Sequence, residues 1–408
     1  MYLINEDRLW TRLMEIAKIG GTPKGGVCRV TLTEEDRKGR DLFIDWCKQA
    51  NCSIRIDSMG NIFARREGKN PNSKSILIGS HLDSQPTGGK YDGVYGVLVG
   101  LEIIETLNDH DILTEAPIEI VSWTNEEGAR FSPAMIGSGV FSGNFSLEYA
   151  YSRTDRDGKK LEHELEKIGY KGTDIINPND FKAAFEIHIE QGPILEAENK
   201  SVGVVSGVQG IRWYDLTLYG KETHAGPTPM SYREDPFKYA HSIISGLYAL
   251  VEEFGPDGKM TIGYIDAFPG VRNTVPGSVT ISLDLRHPKE ESLSKMDEKF
   301  RAFIALQSSR EKFNTEINPI WHSPSVKFSE QHVEIIKKAV NKLGVTSMDL
   351  VSGAGHDSVY ISNVIPTAMV FIPCKDGLSH NELESIKKED AVNGANVLLH
   401  TILELSKS

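Results

Sequence analysis

Cysteine is scarce and unpatterned in this chain. Cys28, Cys47, Cys52 and Cys374 are the four present, with no CxxC pair and no regular spacing. That leaves no disulfide framework and points to reduced thiols in a reducing compartment. Long apolar runs are missing too: nothing approaches the ~18 residues that a membrane-spanning helix needs. The first eight residues lack a basic segment followed by an apolar one, so no secretory signal is expected and a cytoplasmic location is. Positive charge is in deficit, with 45 Lys and Arg against 57 Asp and Glu and a net charge of −12. Nucleic acid and anionic membrane both want a basic face, so neither is an expected partner. A small anionic substrate would need locally placed cations. No internal repeat or low-complexity tract occurs.

What remains is ordinary globular composition, 39% hydrophobic and 25% charged, over 408 residues. That length suits two domains better than one core. Residues 75–80 (SILIGS) form a short apolar run, after which Val94, Val97, Leu98, Leu101, Ile104 and Leu107 recur at helical spacing. Residues 118–123 are another buried-strand candidate. In 185–190, Phe185, Ile187 and Ile189 point one way while Glu186, His188 and Glu190 point the other. Strands alternating with helices predict an α/β sheet with helices on both faces.

From about residue 211 to 321 the pattern changes to strand 213–219, helix 235–254, strands 260–266 and 278–286, helix 289–307 and strand 314–321. That βαββαβ order is the split ferredoxin-like pattern, whose helices cover one sheet face and leave an edge strand free for a second copy. Helix 333–343, strand 367–373 and helix 390–405 then read as the first domain resuming. The expected organisation is a first domain from 1–210 and 322–408, with 211–321 inserted.

Five short segments hold most of the unusual polar residues, each just after a strand candidate. They are His81-Leu82-Asp83, Asp92-Gly93, Asn125-Glu126-Glu127-Gly128, His188 with Glu190-Gln191-Gly192, and His380-Asn381-Glu382. Singly, each has a commonplace alternative. His-x-Asp can be a surface pair, Asp-Gly a turn, Glu-Glu a solvated face, and one strand histidine a satisfied core residue. Together they offer imidazoles and carboxylates at strand ends, where open α/β sheets form their ligand crevice. That donor set suits zinc, manganese or cobalt.

The run Gly79-Ser80-His81-Leu82-Asp83-Ser84 followed by Tyr91-Asp92-Gly93 resembles the superfamily of dinuclear metal-dependent amidohydrolases and carboxypeptidases. Within it, essentially the whole chain is similar to the branch of N-carbamoyl-L-amino-acid hydrolases, β-ureidopropionases and allantoate amidohydrolases. The resemblance implies a zinc-peptidase-like α/β catalytic domain with a mixed sheet. It also implies an inserted ferredoxin-like lid that makes a homodimer, and two divalent ions (zinc, manganese, cobalt or nickel). By position, His81, Asp92 and His188 would hold one ion and Asp92, Glu127 and His380 the other, with Asp92 bridging. Asp83 would orient the His81 imidazole, and Glu126 would be the general base that takes a proton from the attacking water. Peptidase relatives carry an acidic residue where this chain has His188, which points away from peptide cleavage.

For the substrate, the resemblance implies that Arg286 grips a carboxylate with help from Asn273, while His224 reaches across the dimer to the oxyanion. Gln191 and Gln209 are further polar contacts, and the Gly353-Ala354-Gly355-His356-Asp357 loop offers backbone N–H groups. On the residues alone, His224 could be a loop histidine and Arg286 a strand-end partner of Asp284. The segments Ala129-Arg130-Phe131 and Gly137-Ser138-Gly139-Val140 resemble carbamoylases more than allantoate amidohydrolases. The expected reaction is therefore removal of the carbamoyl group from an N-carbamoyl-L-amino acid, giving amino acid, ammonia and carbon dioxide. Allantoate or 3-ureidopropionate hydrolysis is the alternative, and a dipeptidase or aminoacylase a more distant one.

Overall fold

The structure, a computed structural model, describes residues 1–406. The chain divides into two compact units, Met1–Gly207 with Lys327–Ser408, and Val208–Val326.

The first unit is built on a mixed sheet whose strands run in the order Ser53–Ile56, Ile62–Arg66, Ile118–Trp123, Ser75–His81, Phe181–Ile189, Thr367–Ile372, Val202–Val208 and Val326–Lys327, with Ser347–Ser352 also pairing to Val202–Val208. The four from Ile118–Trp123 to Thr367–Ile372 are mutually parallel, and their neighbours on either side are antiparallel. Ser75–His81, Ile118–Trp123 and Thr367–Ile372 are buried at every position. Such strands carry near-continuous apolar runs because both faces are covered.

Residue parity separates the two faces. Ile78 and Ile120 pack beneath Gly100 of the Val94–Asp109 helix, whereas Leu77 and Val121 belong to a cluster with Ile361 and Phe141 from the opposite side. Gly96 lets that helix approach closely: a Cβ there would lie 2.4 Å from the Ile187 carbonyl oxygen. The expected alternation of 185–190 is present, but its polar face is buried too. Glu186 is enclosed and accepts hydrogen bonds from Ser80 Oγ at 2.7 Å and Ser358 Oγ at 2.6 Å.

The second unit holds an antiparallel sheet in the order Ile265–Phe268, Ser278–His287, Gly210–Tyr219 and Asn314–Ser323, with Lys259–Thr261 also pairing to Ser278–His287. Helices Pro236–Glu252 and Glu290–Glu311 supply Ile243, Leu247, Phe300 and Ile304 to a core with Leu216, Leu218, Ile281 and Leu283. Burial along Ser278–His287 alternates without exception. A one-residue slip would expose that whole apolar row at about 1.5–3 kcal/mol per side chain, which outweighs strand propensities spanning about 1 kcal/mol. The run expected as one strand at 260–266 is instead two short pieces, Lys259–Thr261 and Ile265–Phe268. Gly263 interrupts them, and Ser282 Oγ accepts the N–H groups of Gly263 and Tyr264 in place of a regular ladder. Asp235 accepts the Phe237 N–H and starts the first helix with Pro236 at its opening position.

Candidate metal centre

Strand ends of the first unit deliver the polar segments to one place. His81 ends one strand, Asp92 precedes the Val94–Asp109 helix, and His188 lies next to the last residue of Phe181–Ile189. One ligand atom from each of His81, Asp92 and His188 lies within 4.8 Å of the others, as do ligand atoms of Asp92, Glu127 and His380. Asp92 is common to both groups. His188 Nε2 is 3.2 Å from Asp92 Oδ1 and His81 Nε2 3.6 Å from the same oxygen. His380 Nε2 is 3.6 Å from Asp92 Oδ2 and 3.1 Å from Glu127 Oε2. Each oxygen of this one carboxylate thus faces a different group.

The imidazoles are held in a fixed orientation. His81 Nδ1 lies 2.9 Å from the Asp83 carbonyl and His188 Nδ1 3.0 Å from the Ile189 carbonyl. A carbonyl only accepts, so each Nδ1 carries the hydrogen and each Nε2 faces Asp92. Asp83 thus supplies the acceptor that orients the His81 ring. Its backbone oxygen does so, while its carboxylate Oδ1 stands 3.8 Å from Nδ1. The Asp83 carboxylate instead accepts the N–H groups of Glu126 at 3.3 Å and Glu127 at 3.4 Å. It organises the backbone that carries both glutamates.

Glu126 is buried with Oε2 3.5 Å from His81 Nε2. Glu127 Oε2 accepts from Gln85 Nε2 at 2.8 Å, which fixes it beside His380. Backbone conformation adds to the constraint, because Asn125, Gln191 and His380 all have positive φ, at 61°, 57° and 53°. Such non-glycine residues cost energy and persist where the surroundings over-determine them, often at functional sites. Gly93 has φ +67°, and a Cβ there would sit 2.3 Å from His81 Nε2.

Electrostatically the cluster is short of positive charge. Burial would lower the His81 imidazolium, but Glu126, Asp92, Asp83 and Glu127 outweigh it and hold it well above the usual range. Burial pushes Glu126 well above the carboxylate range, opposed by His81 and reinforced by Asp357, Glu127 and Asp83. Burial likewise pushes Asp83 up to about 7. Against its own burial, hydrogen bonds with His188 and His81 hold Asp92 well below the carboxylate range. The hydrogen bond to Glu127 raises His380 to about 9, against its burial. Acceptor atoms this concentrated fit divalent cations, as the donor chemistry also does.

Gln191 is brought to the same place: its Nε2 donates to Asp92 Oδ2 at 2.9 Å, and its buried Oε1 has no hydrogen-bond partner. Gly355 sits in the loop before His356, whose ring lies 4.8 Å from that of His188 and so lines the His188 side. The remaining sequence-predicted residues belong to the second unit. His224 is exposed and pairs with Thr274 in a two-residue ribbon, and Ala225 N–H donates to the Asn273 carbonyl at 2.9 Å. Arg286 makes a fork to Asp284, Nε to Oδ1 at 2.9 Å and Nη2 to Oδ2 at 2.7 Å. Lys259 Nζ reaches the Gln209 amide oxygen at 3.3 Å. Two residues absent from the sequence-based expectation stand at the cluster, Ser379 and Glu384, flanking His380. The polar run after His380 was the available signal, but nothing in it marks Glu384 as buried.

A site of imidazoles and carboxylates at the carboxyl ends of parallel strands defines the chain as an α/β protein of the metal-dependent hydrolase kind. The chain belongs to peptidase family M20/M25/M40, whose model matches residues 77–404, and that family is metal-dependent. It is 46% identical to an N-carbamoyl-L-amino-acid amidohydrolase of Rhizobium meliloti, over 99% of this chain and 97% of the relative. It is 37% identical to one of Geobacillus stearothermophilus, over 99% of this chain and all of the relative. A crystal structure of an amidase of the hydantoinase/carbamoylase family from Burkholderia multivorans is 48% identical, with a TM-score of 0.95 over 100% of this chain and 99% of that one. No helix among the described residues is long and apolar enough to cross a membrane.

Proposed function

We propose that the protein is an N-carbamoyl-L-amino-acid amidohydrolase with a site for two divalent cations. The observation that carries the reading is the sharing of Asp92 by two groups of potential ligands, with Glu126 beside them and a member of neither. His81, Asp92 and His188 would hold one ion, and Asp92, Glu127 and His380 the other. Bound there, the ions supply Lewis acidity and lower the pKa of water.

The chain's own residues do the rest. Glu126 takes a proton from the attacking water and passes it to the leaving nitrogen. Its neighbour Glu127 neutralises charge, so the two adjacent carboxylates have separate tasks. Gln191 carries a spare acceptor oxygen beside Asp92 that suits a ureido N–H. Arg286, with Asn273, would receive the substrate carboxylate, which then shares the guanidinium with Asp284. Gln209 and the Gly355 N–H are the remaining polar contacts, and His224 of a second subunit would stabilise the oxyanion. The edge position of Asn314–Ser323, with Ile320 51% exposed, supports a homodimer formed through the second unit.

Ammonia release from a panel of ureido acids tests the reading: N-carbamoyl-L-amino acids should exceed allantoate and 3-ureidopropionate. Glu126→Gln should keep its metal content and lose about 10²–10⁴-fold in kcat. Near-normal turnover in that variant with full metal would remove Glu126 from the mechanism. Allantoate as the preferred substrate would replace the carbamoylase assignment.

A further inference from the structure

Glu384 is buried where a side chain of its charge is seldom found without a task, with 5% of its surface exposed. It follows His380 by one turn of chain, closed by the Glu384 N–H on the Asn381 carbonyl at 3.0 Å. Its carboxylate reaches away from that loop. Oε1 accepts the N–H of Tyr91 at 2.7 Å and that of Asp92 at 3.2 Å. Oε2 lies 3.5 Å from Ser379 Oγ, and Ser379 Oγ in turn donates to Asp92 Oδ2. The space is reserved for this carboxyl group: a Cβ on Gly89 would stand 2.0 Å from its Cδ.

The shared carboxylate of the site is thus gripped twice from the segment that carries His380, through its backbone by Glu384 and through its side chain by Ser379. Two loops far apart in sequence, residues 89–93 and 379–384, are tied at the atoms that fix the spacing of Asp92 from His380. We propose that Glu384, with Ser379, is a positioning residue that sets the geometry of the shared ligand Asp92 relative to His380, and so the affinity for the second cation. This rests on the two-cation reading given above. It assigns Glu384 no contact with substrate or metal. Its work is to hold a backbone amide pair in place, for which one acceptor oxygen suffices. A glutamine can place its single carbonyl oxygen on both N–H groups and turn its amide nitrogen toward Ser379 Oγ; an alanine can do neither.

The test is competitive titration of Zn²⁺ and Mn²⁺ into the cation-free full-length protein against a chromophoric chelator, on wild type, Glu384→Ala, Glu384→Gln and Ser379→Ala. Glu384→Ala should weaken the looser of the two sites by about 10- to 100-fold, the usual cost of losing a residue that orients a metal ligand. Ser379→Ala should weaken the same site by a smaller factor, and Glu384→Gln should stay within about threefold of wild type. Glu384→Ala and Ser379→Ala both binding like wild type would overturn the proposal, as would Glu384→Gln falling as far as Glu384→Ala. If Glu384→Ala does not fold, wild-type affinity in Ser379→Ala overturns it alone. Failure of the wild type itself to take up cations is a separate outcome, which would remove the two-cation reading instead.

Discussion

His380 differs from the other two imidazoles of the cluster in being half-exposed, with its side chain at 52%. Its hydrogen bond to Glu127 raises it to about 9, against the opposing effect of burial and with help from Asp92. In the cation-free protein it is therefore charged at neutral pH. The sign follows from the raised value: the His380–Glu127 pair contributes its stability fully below about pH 6.5 and loses it as pH rises through about 9. A cation on Nε2 has to displace that proton, so binding and protonation compete for one atom. Between about pH 6.5 and 9, apparent affinity at this site should rise by up to tenfold per pH unit. Isothermal titration of the cation in buffers of different ionisation enthalpy measures the released protons. At pH 7.5 at least one should leave per two ions bound; none leaving would mean that His380 is neutral before binding or does not ligate.

At the scale of elements, the centre depends on how closely a strand and a helix can approach at their junction. Gly93 precedes the Val94–Asp109 helix with φ +67° and ψ −50°, a combination that favours glycine, and His81 Nε2 fills the place of its missing side chain. Gly93→Ala should therefore push the His81 ring off the shared carboxylate while the rest of the helix, buried along most of its length, still folds. Metal analysis should find fewer than two ions per chain and kcat should drop in proportion; two tightly bound ions would show that the junction yields. Elements of this kind were legible in the chain where one physical constraint dominated. The doubly buried strands carry unbroken apolar runs, the half-buried strand at 278–287 alternates, and Asp235-Pro236 marks a helix start. His81, Asp92, Glu127, His188 and His380, which the structure brings close together, stood out because they belong to short polar segments that follow strand candidates. Ile62–Arg66 was not legible, since Arg65 and Arg66 look like solvent residues until their ion pair with Glu119 and hydrogen bonds to Asn108 and Ile112 are seen. Glu384 was hidden for the same reason. Its partners are backbone N–H groups, which no side-chain pattern advertises.

For the whole molecule, the proposed reaction needs more than one chain if His224 serves a partner's site. His224 is exposed and held in a two-residue ribbon next to Asn273, and its Nδ1 accepts the Gly226 N–H at 3.1 Å. That leaves Nε2 as the donor for an oxyanion, a task whose loss typically costs about 10²–10³ in kcat. Both Glu126→Gln and His224→Ala should then be nearly inactive as separate preparations, for unrelated reasons. Mixed after subunit exchange, they should recover activity. A dimer with one chain of each kind has one site with both residues intact, its Glu126 from the His224→Ala chain and its His224 from the Glu126→Gln chain. Random exchange puts half of the dimers in that form, so the recovered rate should approach about a quarter of the wild-type rate per site. Exchange is verified independently by tagging the two variants differently and recovering the doubly tagged dimer. Wild-type-like kinetics in His224→Ala would deny it a role in the chemistry. Doubly tagged dimers without activity would place His224 in its own chain's site, since then no mixed dimer can assemble a complete one.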